Sequence, residues 1–468
     1  MLQKFLIYVI LINLFQLINC QIVFYEPEQR TGHTATVLDN NKLFMFGGYT
    51  TYDITIIEFS GSDFFFIDFS IPFNTKELTW ENLSGSYTLP LLAYAAAVKG
   101  GITNNTLFIY GGIVDSASPL VYRYDPPSNI WNTPNIAGIN DIRKRDVVGV
   151  IDNNGKMYIW GGMEVIDGIN ANYVNDMLIL DTMNLSWGQG SLIGAPTARG
   201  NYGAALLPNN NIIYMGGFNG KVLPFNQIYL YDTINNNWST RTTSGIVPSG
   251  RDGFSAIPGL DSQRIIIFGG NSTVTGYNLT IEDSLYEVNL INFEWSIPKI
   301  SGQIPKSRMY HRANVIGKYM VVSFGYGYDS SIESDILLLD ISNINEYIWT
   351  YNFDSSYNSV SSSSPSQSTE QSSPTQPSSP THTVNLLSAL QSEKSSLSLI
   401  GAIVGSLFGS VLLLFGGFFI YKWSKIEREP KDSMMISENN DDSNNNSQER
   451  MLNTTNINDN ETISINDL

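Results

Sequence analysis

Short apolar runs separated by polar turns fill most of the chain, and one kind of run recurs at a spacing of about 50 residues. Each copy has four large apolar residues followed by two glycines. The copies are LFMFGG ending at Gly48, LFIYGG at Gly112, MYIWGG at Gly162, IIYMGG at Gly217 and IIIFGG at Gly270. A continuous run of aromatic and β-branched residues predicts a strand buried on both faces. A degenerate sixth copy, MVVSFGYG, ends at Gly327.

Each copy belongs to a longer unit that predicts four strands. A polar loop follows the glycines, and then comes a second apolar strand that ends in an acidic or amide residue. These strands end at Asp68, Asp125, Asp181, Asp232, Asn289 and Asp340. A tryptophan follows each one, with the spacing D/N-x5-W in the four middle units: Trp80, Trp131, Trp187, Trp238, Trp295 and Trp349. Another apolar strand precedes each Gly-Gly run.

Four of those preceding strands open with a P-x-x-R segment, and the openings PLLAYA and RKRDVV depart from that form. The arginines are Arg30, Arg199, Arg251 and Arg308. Because they recur at one position of the unit, we expect them to bind backbone carbonyls or neighbouring acids and to serve the fold.

The unit resembles the kelch repeat, whose family pattern combines apolar residues and Gly-Gly with spaced tyrosine and tryptophan. The resemblance covers about residues 27–351 and is weakest in the sixth unit. It implies an all-β fold, a six-bladed kelch β-propeller with one four-stranded blade per repeat. Glycine suits a strand that must turn sharply beside neighbouring backbone, because it adopts positive φ cheaply and has no Cβ. Two ways of closing the ring stay open: a closing strand from residues 21–25, or blades in phase with the repeats.

Both ends of the chain carry apolar segments of a different kind. Lys4 precedes the apolar run 5–18 and a short polar exit, which is the form of a secretory signal peptide, with an N-terminal membrane anchor as the alternative. Residues 397–421 carry no charge and span about 37 Å as a helix, enough to cross a bilayer. Lysine and arginine follow at once and place the C-terminus in the cytoplasm. We therefore predict a type I single-pass protein of the plasma membrane.

The predicted organisation has five parts. They are a signal peptide (1–20), a propeller ectodomain (21–353), a Ser/Thr/Pro-rich stalk (354–396), a transmembrane helix (397–421) and a disordered cytoplasmic tail (422–468). The stalk composition cannot bury a core and is typical of an extended, O-glycosylated segment. Gly401, Gly405 and Gly409 recur every fourth residue, which favours a homodimer through the membrane helix, although glycine is common in such helices.

Composition narrows the class of partner. The formal net charge is −17 and only 15% of residues are charged, so the chain lacks the basic surface that a nucleic-acid partner requires. The single cysteine, Cys20, leaves with the predicted signal, so the mature protein would hold no disulfide. Six N-glycosylation sequons fall in the predicted ectodomain, at Asn82, Asn104, Asn184, Asn237, Asn271 and Asn278. The last two share one loop, and glycans there would shield that blade.

Loops between the second and third strands differ from repeat to repeat, and such loops commonly carry binding specificity. The candidate contacts are Tyr49, Tyr52, Asp53, Glu164, Asp167, Tyr277, Tyr326, Tyr328 and Asp329. The alternative for each is an ordinary solvated turn residue. An extracellular protein or a cell-wall glycan is the expected ligand.

No catalytic, cofactor or metal site is predicted. Kelch propellers include the copper radical oxidases similar to galactose oxidase, whose site needs a cysteine-linked tyrosine and histidine ligands. Here Cys20 lies in the signal and His382 in the stalk. His33 and His311 occupy a repeat position that elsewhere holds Tyr202 and Phe254, which favours a structural role over a metal pair. A carboxylate hydrolase stays open as one alternative function, and a cell-polarity scaffold as another.

Overall fold

The computed structural model describes residues 25–39, 41–50, 63–86, 89–113, 118–166, 171–276, 278–327 and 329–356. The predicted signal peptide, membrane helix and tail, and nearly all of the stalk, lie outside these residues. Within the described ranges, no helix has the length and apolar character needed to span a bilayer.

The first three repeats build strands β1 to β16. Repeat one contains β1 (Thr34–Leu38), β2 (Lys42–Phe46), β3 (Phe64–Asp68), β4 (Phe73–Asn74), β5 (Glu81–Asn82) and a 3₁₀ turn (Ser84–Ser86). Repeat two contains β6 (Ala96–Gly100), β7 (Thr106–Tyr110), β8 (Val121–Asp125) and β9 (Ile130–Asn132). Repeat three contains β10 (Lys144–Arg145), β11 (Gly149–Ile151), β12 (Lys156–Trp160), β13 (Met163–Val165), β14 (Ala171–Tyr173), β15 (Met177–Asp181) and β16 (Ser186–Gln189).

The last three repeats build strands β17 to β34. Repeat four contains β17 (Gly203–Leu206), β18 (Asn211–Met215), β19 (Gln227–Asp232) and β20 (Asn237–Thr242). Repeat five contains β21 (Ser244–Gly245), β22 (Arg251–Asp252), β23 (Ser255–Pro258), β24 (Arg264–Phe268), β25 (Asn271–Ser272), β26 (Leu285–Asn289) and β27 (Glu294–Ser296). Repeat six contains β28 (Ile300–Gly302), β29 (Arg308–Met309), β30 (Arg312–Ile316), β31 (Tyr319–Gly327), β32 (Ile332–Asp340), β33 (Tyr347–Thr350) and β34 (Asn352–Phe353).

Each repeat forms one antiparallel four-stranded blade. The strand orders are β1-β2-β3-β5, β6-β7-β8-β9, β11-β12-β15-β16, β17-β18-β19-β20, β23-β24-β26-β27 and β30-β31-β32-β33. The six first strands contact one another in chain order, and β30 contacts β1, so the blades surround an axis as a closed ring. Six hydrophobic cores lie between adjacent blades, including one shared by blades six and one. The predicted six-bladed propeller is therefore confirmed.

The glycine pairs join neighbouring blades. The second glycine donates its N–H to the carbonyl of the residue at the arginine position of the next blade, as Gly48 does to Leu92 at 2.8 Å and Gly217 does to Arg251 at 3.0 Å. The first glycine has φ between +59° and +74°, and an added Cβ would collide with that same carbonyl. The carbonyl of the first glycine accepts a hydrogen bond from the arginine of its own blade, as the Gly216 carbonyl does from Arg199 at 3.1 Å. In blades one to five, glycine therefore suits the point where two backbones meet.

The tryptophan of each blade packs against the preceding blade. Trp131 lies 4.9 Å from the ring of Phe64 between ring centres, and Trp349 lies 5.2 Å from Phe268. Trp80 of blade one stacks on Phe324 of blade six at 5.7 Å and so continues the pattern across the closure. The residue that ends the third strand caps the turn before the tryptophan with its side chain.

The ring closes with each blade in phase with its repeat. Of the predicted closing segment 21–25, only Tyr25 is described, and its ring packs on Phe65 at 5.8 Å. A different segment spans the closure: β34, which follows the last blade, pairs antiparallel with β4 of blade one. Phe353 stacks on Phe73 at 5.1 Å. This clasp ties the two ends of the ring together.

Two details of the sequence pattern need correction. In blade six the structural equivalent of Gly-Gly is Phe324–Gly325, because Gly325 donates to Arg30 at 2.9 Å and Phe324 has a φ of +48°. In the RKRDVV opening Lys144 takes the arginine position and pairs with Asp176 at 2.7 Å.

Candidate binding site at the axial mouth

The loops that join strands two to three, and one blade to the next, emerge on one side of the ring, here called the upper face. The tight turns between strands one and two and between strands three and four lie on the opposite, lower face. On the upper face, the second residue after each arginine position lies next to the axis. These six residues, here called the axial mouth, are Gly32, Tyr94, Asp146, Asn201, Gly253 and Tyr310.

Backbone hydrogen bonds join the axial mouth into a continuous circle. Each residue donates its N–H to the carbonyl of its counterpart in the preceding blade, and Gly32 donates to Tyr310 across the closure. The N···O distances lie between 2.7 and 3.1 Å. These hydrogen bonds hold the backbone of the six residues in place around the axis, and so determine the positions of their Cα atoms.

All six residues have a positive φ, from +53° to +67°. Blades one and five use glycine, which adopts this conformation at little cost. The other four blades place tyrosine, aspartate and asparagine there; asparagine and aspartate tolerate the left-handed conformation, whereas for tyrosine it costs roughly 1–2 kcal/mol. A side chain retained where the backbone favours glycine points to a functional site.

Aromatic rings lie along one part of the mouth. The rings of Tyr94 and Tyr310 meet edge to face at 5.5 Å, and Tyr49 packs on Tyr94 at 5.6 Å. Each ring covers a glycine: an added Cβ at Gly32 would contact the Tyr94 ring, and one at Gly253 would contact Tyr310. The two glycines therefore make room for the tyrosines of the neighbouring blades.

Two carboxylates lie beside the tyrosines. Asp252 accepts hydrogen bonds from Asn271 Nδ2 at 3.0 Å and from the Tyr310 hydroxyl at 3.2 Å, and it is 2% exposed. Burial raises the pKa of Asp252 to about 6, against the lowering effect of those two hydrogen bonds. Burial also raises the pKa of Asp146, whose carboxylate pairs with Arg145 at 3.4 Å.

The histidines serve the packing of the ring. His33 Nε2 pairs with the Ser323 hydroxyl at 2.9 Å, and His311 Nε2 pairs with Ser255 at 2.8 Å, in each case across a blade boundary. Burial lowers the pKa of His311 to about 3 and that of His33 well below its usual value, so both imidazoles are neutral. These contacts support a structural role.

The predicted arginines all bind backbone carbonyls, and three of them also bind an acid of their own blade. The ion pairs are Arg30–Asp63 at 3.1 Å, Arg251–Asp283 at 3.1 Å and Arg308–Asp335 at 2.6 Å. Arg199 instead bonds the Thr197 hydroxyl at 2.8 Å and lies 5.0 Å from the centre of the Tyr229 ring.

The structure brings few of the predicted loop contacts together. The ring of Tyr49 contacts the mouth residue Tyr94. Tyr49 is largely buried, and burial raises the pKa of Tyr49 to about 12. Glu164 is half-buried on β13, opposite Lys144. Tyr326 is buried in a small apolar cluster with Met309, and Asp329 forms an exposed ion pair with Lys306. Tyr52, Asp53, Asp167, Tyr277 and Tyr328 lie outside the described residues.

Sequence reasoning missed the mouth residues, although a signal for them exists. Two residues after the arginine position, the six openings carry Gly, Tyr, Asp, Asn, Gly and Tyr, and in four of them an arginine precedes and an aromatic residue follows this place. A position that varies within an otherwise regular frame is where a scaffold can carry specificity.

Comparison with known proteins identifies the repeat. A family model described as the KLHDC2/KLHL20/DRC7 Kelch-repeats domain matches residues 60–270 and 222–373. This chain is a kelch-repeat protein. The kelch chain is 25% identical to Kelch domain-containing protein 3 of Rattus norvegicus, over 68% of its own length and 86% of that protein. It is also 26% identical to Multiple epidermal growth factor-like domains protein 8 of Rattus norvegicus, over 58% of its length and 10% of that protein.

A solved structure titled "Structure of YjhT" shares the fold of this kelch chain. The TM-score is 0.51 with 15% identical residues, over 69% of this chain and 98% of the other. At this identity the likeness concerns the fold alone.

Proposed function

We propose that this kelch-repeat chain is a non-catalytic cell-surface protein of type I topology that recognises a protein ligand through the axial mouth. The observation that carries the proposal is the placement of Tyr94, Asp146, Asn201 and Tyr310 in left-handed conformations at the axis. A ring that only had to close could use glycine at all six positions, as it does in blades one and five. The four side chains are therefore retained for what they contact.

The chemistry of the mouth fits a protein partner. Tyrosine offers a large rigid contact surface with a polar end, and such residues dominate the energetics of protein interfaces. The carboxylates of Asp146 and Asp252 lie beside the rings but are buried, so the tyrosines supply the contact surface and the acids lie behind it. A cell-wall glycan is the other ligand that aromatic rings can hold, and it is one outcome of the binding test.

The sequons favour the upper face as the side that binds. Asn104 lies in the first turn of blade two, and Asn184 and Asn237 lie at the outer turns of blades three and four, all exposed on the lower face. Glycans at these three positions would cover the lower side of adjacent blades. Asn82 lies on the outer edge of blade one, and only Asn271 and Asn278 belong to the upper face.

The mouth is tested by replacing both tyrosines, as Tyr94→Gly with Tyr310→Gly. Loss of two aromatic contacts should weaken ligand binding about 30-fold or more. The variant should also lose stability, because the two rings pack on each other and Tyr310 donates to the buried Asp252, so unfolding of the free protein is measured beside binding. Binding of the full-length chain to intact cells, and to arrays of surface proteins and glycans, measures the effect.

The matched control carries Ile234→Ser with Ile291→Ser, which alters two exposed apolar residues of lower-face turns. This control should bind as the wild type does. Equal binding by the tyrosine variant and the wild type would refute the mouth as the site, and capture of glycans alone would replace the protein ligand by a glycan.

The cell-surface assignment predicts a defined pattern of N-glycans. Asn104, Asn184 and Asn237 should carry glycan on the full-length protein from its own cells. Asn271 should be bare, because its amide nitrogen donates to the buried Asp252. Glycopeptide mass spectrometry reads all six sequons in one experiment. A protein without glycan at any of them would contradict passage through the secretory pathway, and glycan at Asn271 would contradict its role beside Asp252.

A further inference from the structure

Below the axial mouth lies a cavity of about 200 Å³ on the propeller axis. Small residues of the first strands line most of it, among them Ala35, Ala97 and Gly149. Since a water molecule takes about 30 Å³ in the liquid, the cavity has room for a small ion with water around it. A narrower space of about 20 Å³, lined by Tyr94, Tyr310 and Arg312, lies between the mouth and the cavity. It has room for on the order of one water molecule.

One charged side chain lines this cavity among the described residues, and it belongs to Arg312. Arg312 begins β30, the innermost strand of blade six. The other five blades have Thr34, Ala96, Val148, Gly203 and Ser255 at this position. The packing of the first strands therefore needs no arginine here, because small residues serve in the other blades.

The guanidinium of Arg312 bonds only uncharged groups in the described part of the chain. Nε donates to the carbonyl of His33 at 2.8 Å and Nη2 donates to that of Ala95 at 3.4 Å. No carboxylate of these residues forms an ion pair with it. Asp146 acts on it only from a distance and pairs with Arg145.

Among the described residues, no negatively charged group contacts the guanidinium of Arg312. The neighbouring imidazoles of His33 and His311 are neutral, since burial lowers the pKa of both. Arg312 is partly exposed to the cavity, whereas the buried Arg30, Lys144 and Arg251 each have a carboxylate within 3.1 Å. A charge withdrawn from water is costly unless a partner compensates it.

We propose that the axial cavity binds a small free oxyanion, such as sulfate or the carboxylate of a small organic acid, on the guanidinium of Arg312. The planar fork of arginine donors matches an oxyanion in geometry and charge. Asn314 lines the same cavity; one N–H of its amide donates to the Ala35 carbonyl at 3.4 Å, and the other can donate to the anion. This site is separate from the site proposed for the protein ligand, because its walls are the innermost strands of the blades below the axial mouth.

The test measures anion binding by the full-length protein with sulfate and acetate as separate probes. Wild-type protein should bind one anion per chain, seen by titration calorimetry and as a saturable rise of the unfolding temperature at low millimolar concentration. Arg312→Gln should weaken binding about tenfold or more. Arg241→Gln removes an exposed arginine of β20 and should leave binding unchanged. Binding of sulfate but not acetate, or the reverse, identifies the source of the oxyanion.

A second measurement needs no variant and applies also if Arg312→Gln fails to fold: selenate is soaked into crystals of the wild-type protein and located by its anomalous signal. An anomalous peak beside the Arg312 guanidinium supports the site. The proposal is overturned if the peak is absent there, if neither probe binds the wild type, or if Arg312→Gln binds as the wild type does.

Discussion

Gly47→Ala should lower the free energy of unfolding by about 3–5 kcal/mol, among the largest effects of a single methyl group in this fold. The φ of Gly47 is +70°, and an added Cβ would overlap the carbonyl oxygen of Leu92 in the next blade. That carbonyl also accepts the N–H of Gly48 at 2.8 Å, so the collision would push apart two blades that a hydrogen bond joins. Both backbones are buried, and neither can move away without opening the ring.

Two other glycines distinguish the cost of the collision from the cost of the left-handed conformation. Gly220 has a φ of +94° with no atom within 4 Å of an added Cβ, so Gly220→Ala should cost only the left-handed strain of roughly 1–2 kcal/mol. Gly85 has neither feature, and Gly85→Ala should be close to neutral. Denaturant unfolding of the full-length chain measures all three. A Gly47→Ala cost no greater than that of Gly220→Ala would show that the blades do not meet at this point.

Asp252→Asn should stabilise the protein by about 2–3 kcal/mol at neutral pH. Burial raises the pKa of Asp252 to about 6, so the folded protein takes up this proton more readily than the unfolded chain does. The charged form therefore destabilises the fold at pH above about 6, and the penalty disappears as the pH falls toward about 4. Asparagine has the same shape and carries no charge; its Oδ1 can accept from Asn271, and its Nδ2 can donate to the Tyr310 hydroxyl oxygen in place of the bond that the carboxylate accepts.

The difference in stability between Asp252→Asn and the wild type should thus rise from near zero at about pH 4 to its full value at about pH 7. Asp232→Asn provides a control of opposite sign. Backbone N–H bonds from Asn235 and Ile234 lower the pKa of Asp232, so that variant should lose stability above about pH 4. Urea unfolding at several pH values checks both. A pH-independent effect of Asp252→Asn would contradict a buried charge beside Tyr310.

The sequence predicts the repeating part of this molecule well, because the same packing problem recurs in every blade. A Gly-Gly pair indicates where two backbones meet, and the D/N-x5-W spacing indicates a capped turn followed by a ring that packs on the preceding blade. Such features can be predicted from one chain since the repeats serve as internal copies. The closure of the ring could not, because β4 and β34 pair only once and have no copy elsewhere.

Departures from the repeat are harder to predict than the repeat itself. Phe324 takes the place of a glycine, and the phase is shown by its positive φ and by the hydrogen bond from Gly325 to Arg30. Asn271 has the sequence of a glycan acceptor, yet its amide is bound to Asp252, a contact between separate strands. The loops between strands two and three vary in length and therefore predict binding contacts, whereas the mouth lies in the shorter openings, whose length gives no such indication.

Site-specific photo-crosslinking tests the central claim of an upper-face binding site most directly. A photoreactive phenylalanine analogue placed at Tyr310 should crosslink a defined partner when the full-length protein is displayed on its own cells. The same analogue at Ile234, exposed on the lower face, should yield no such product. A partner crosslinked from Ile234 and never from Tyr310 would contradict recognition at the axial mouth.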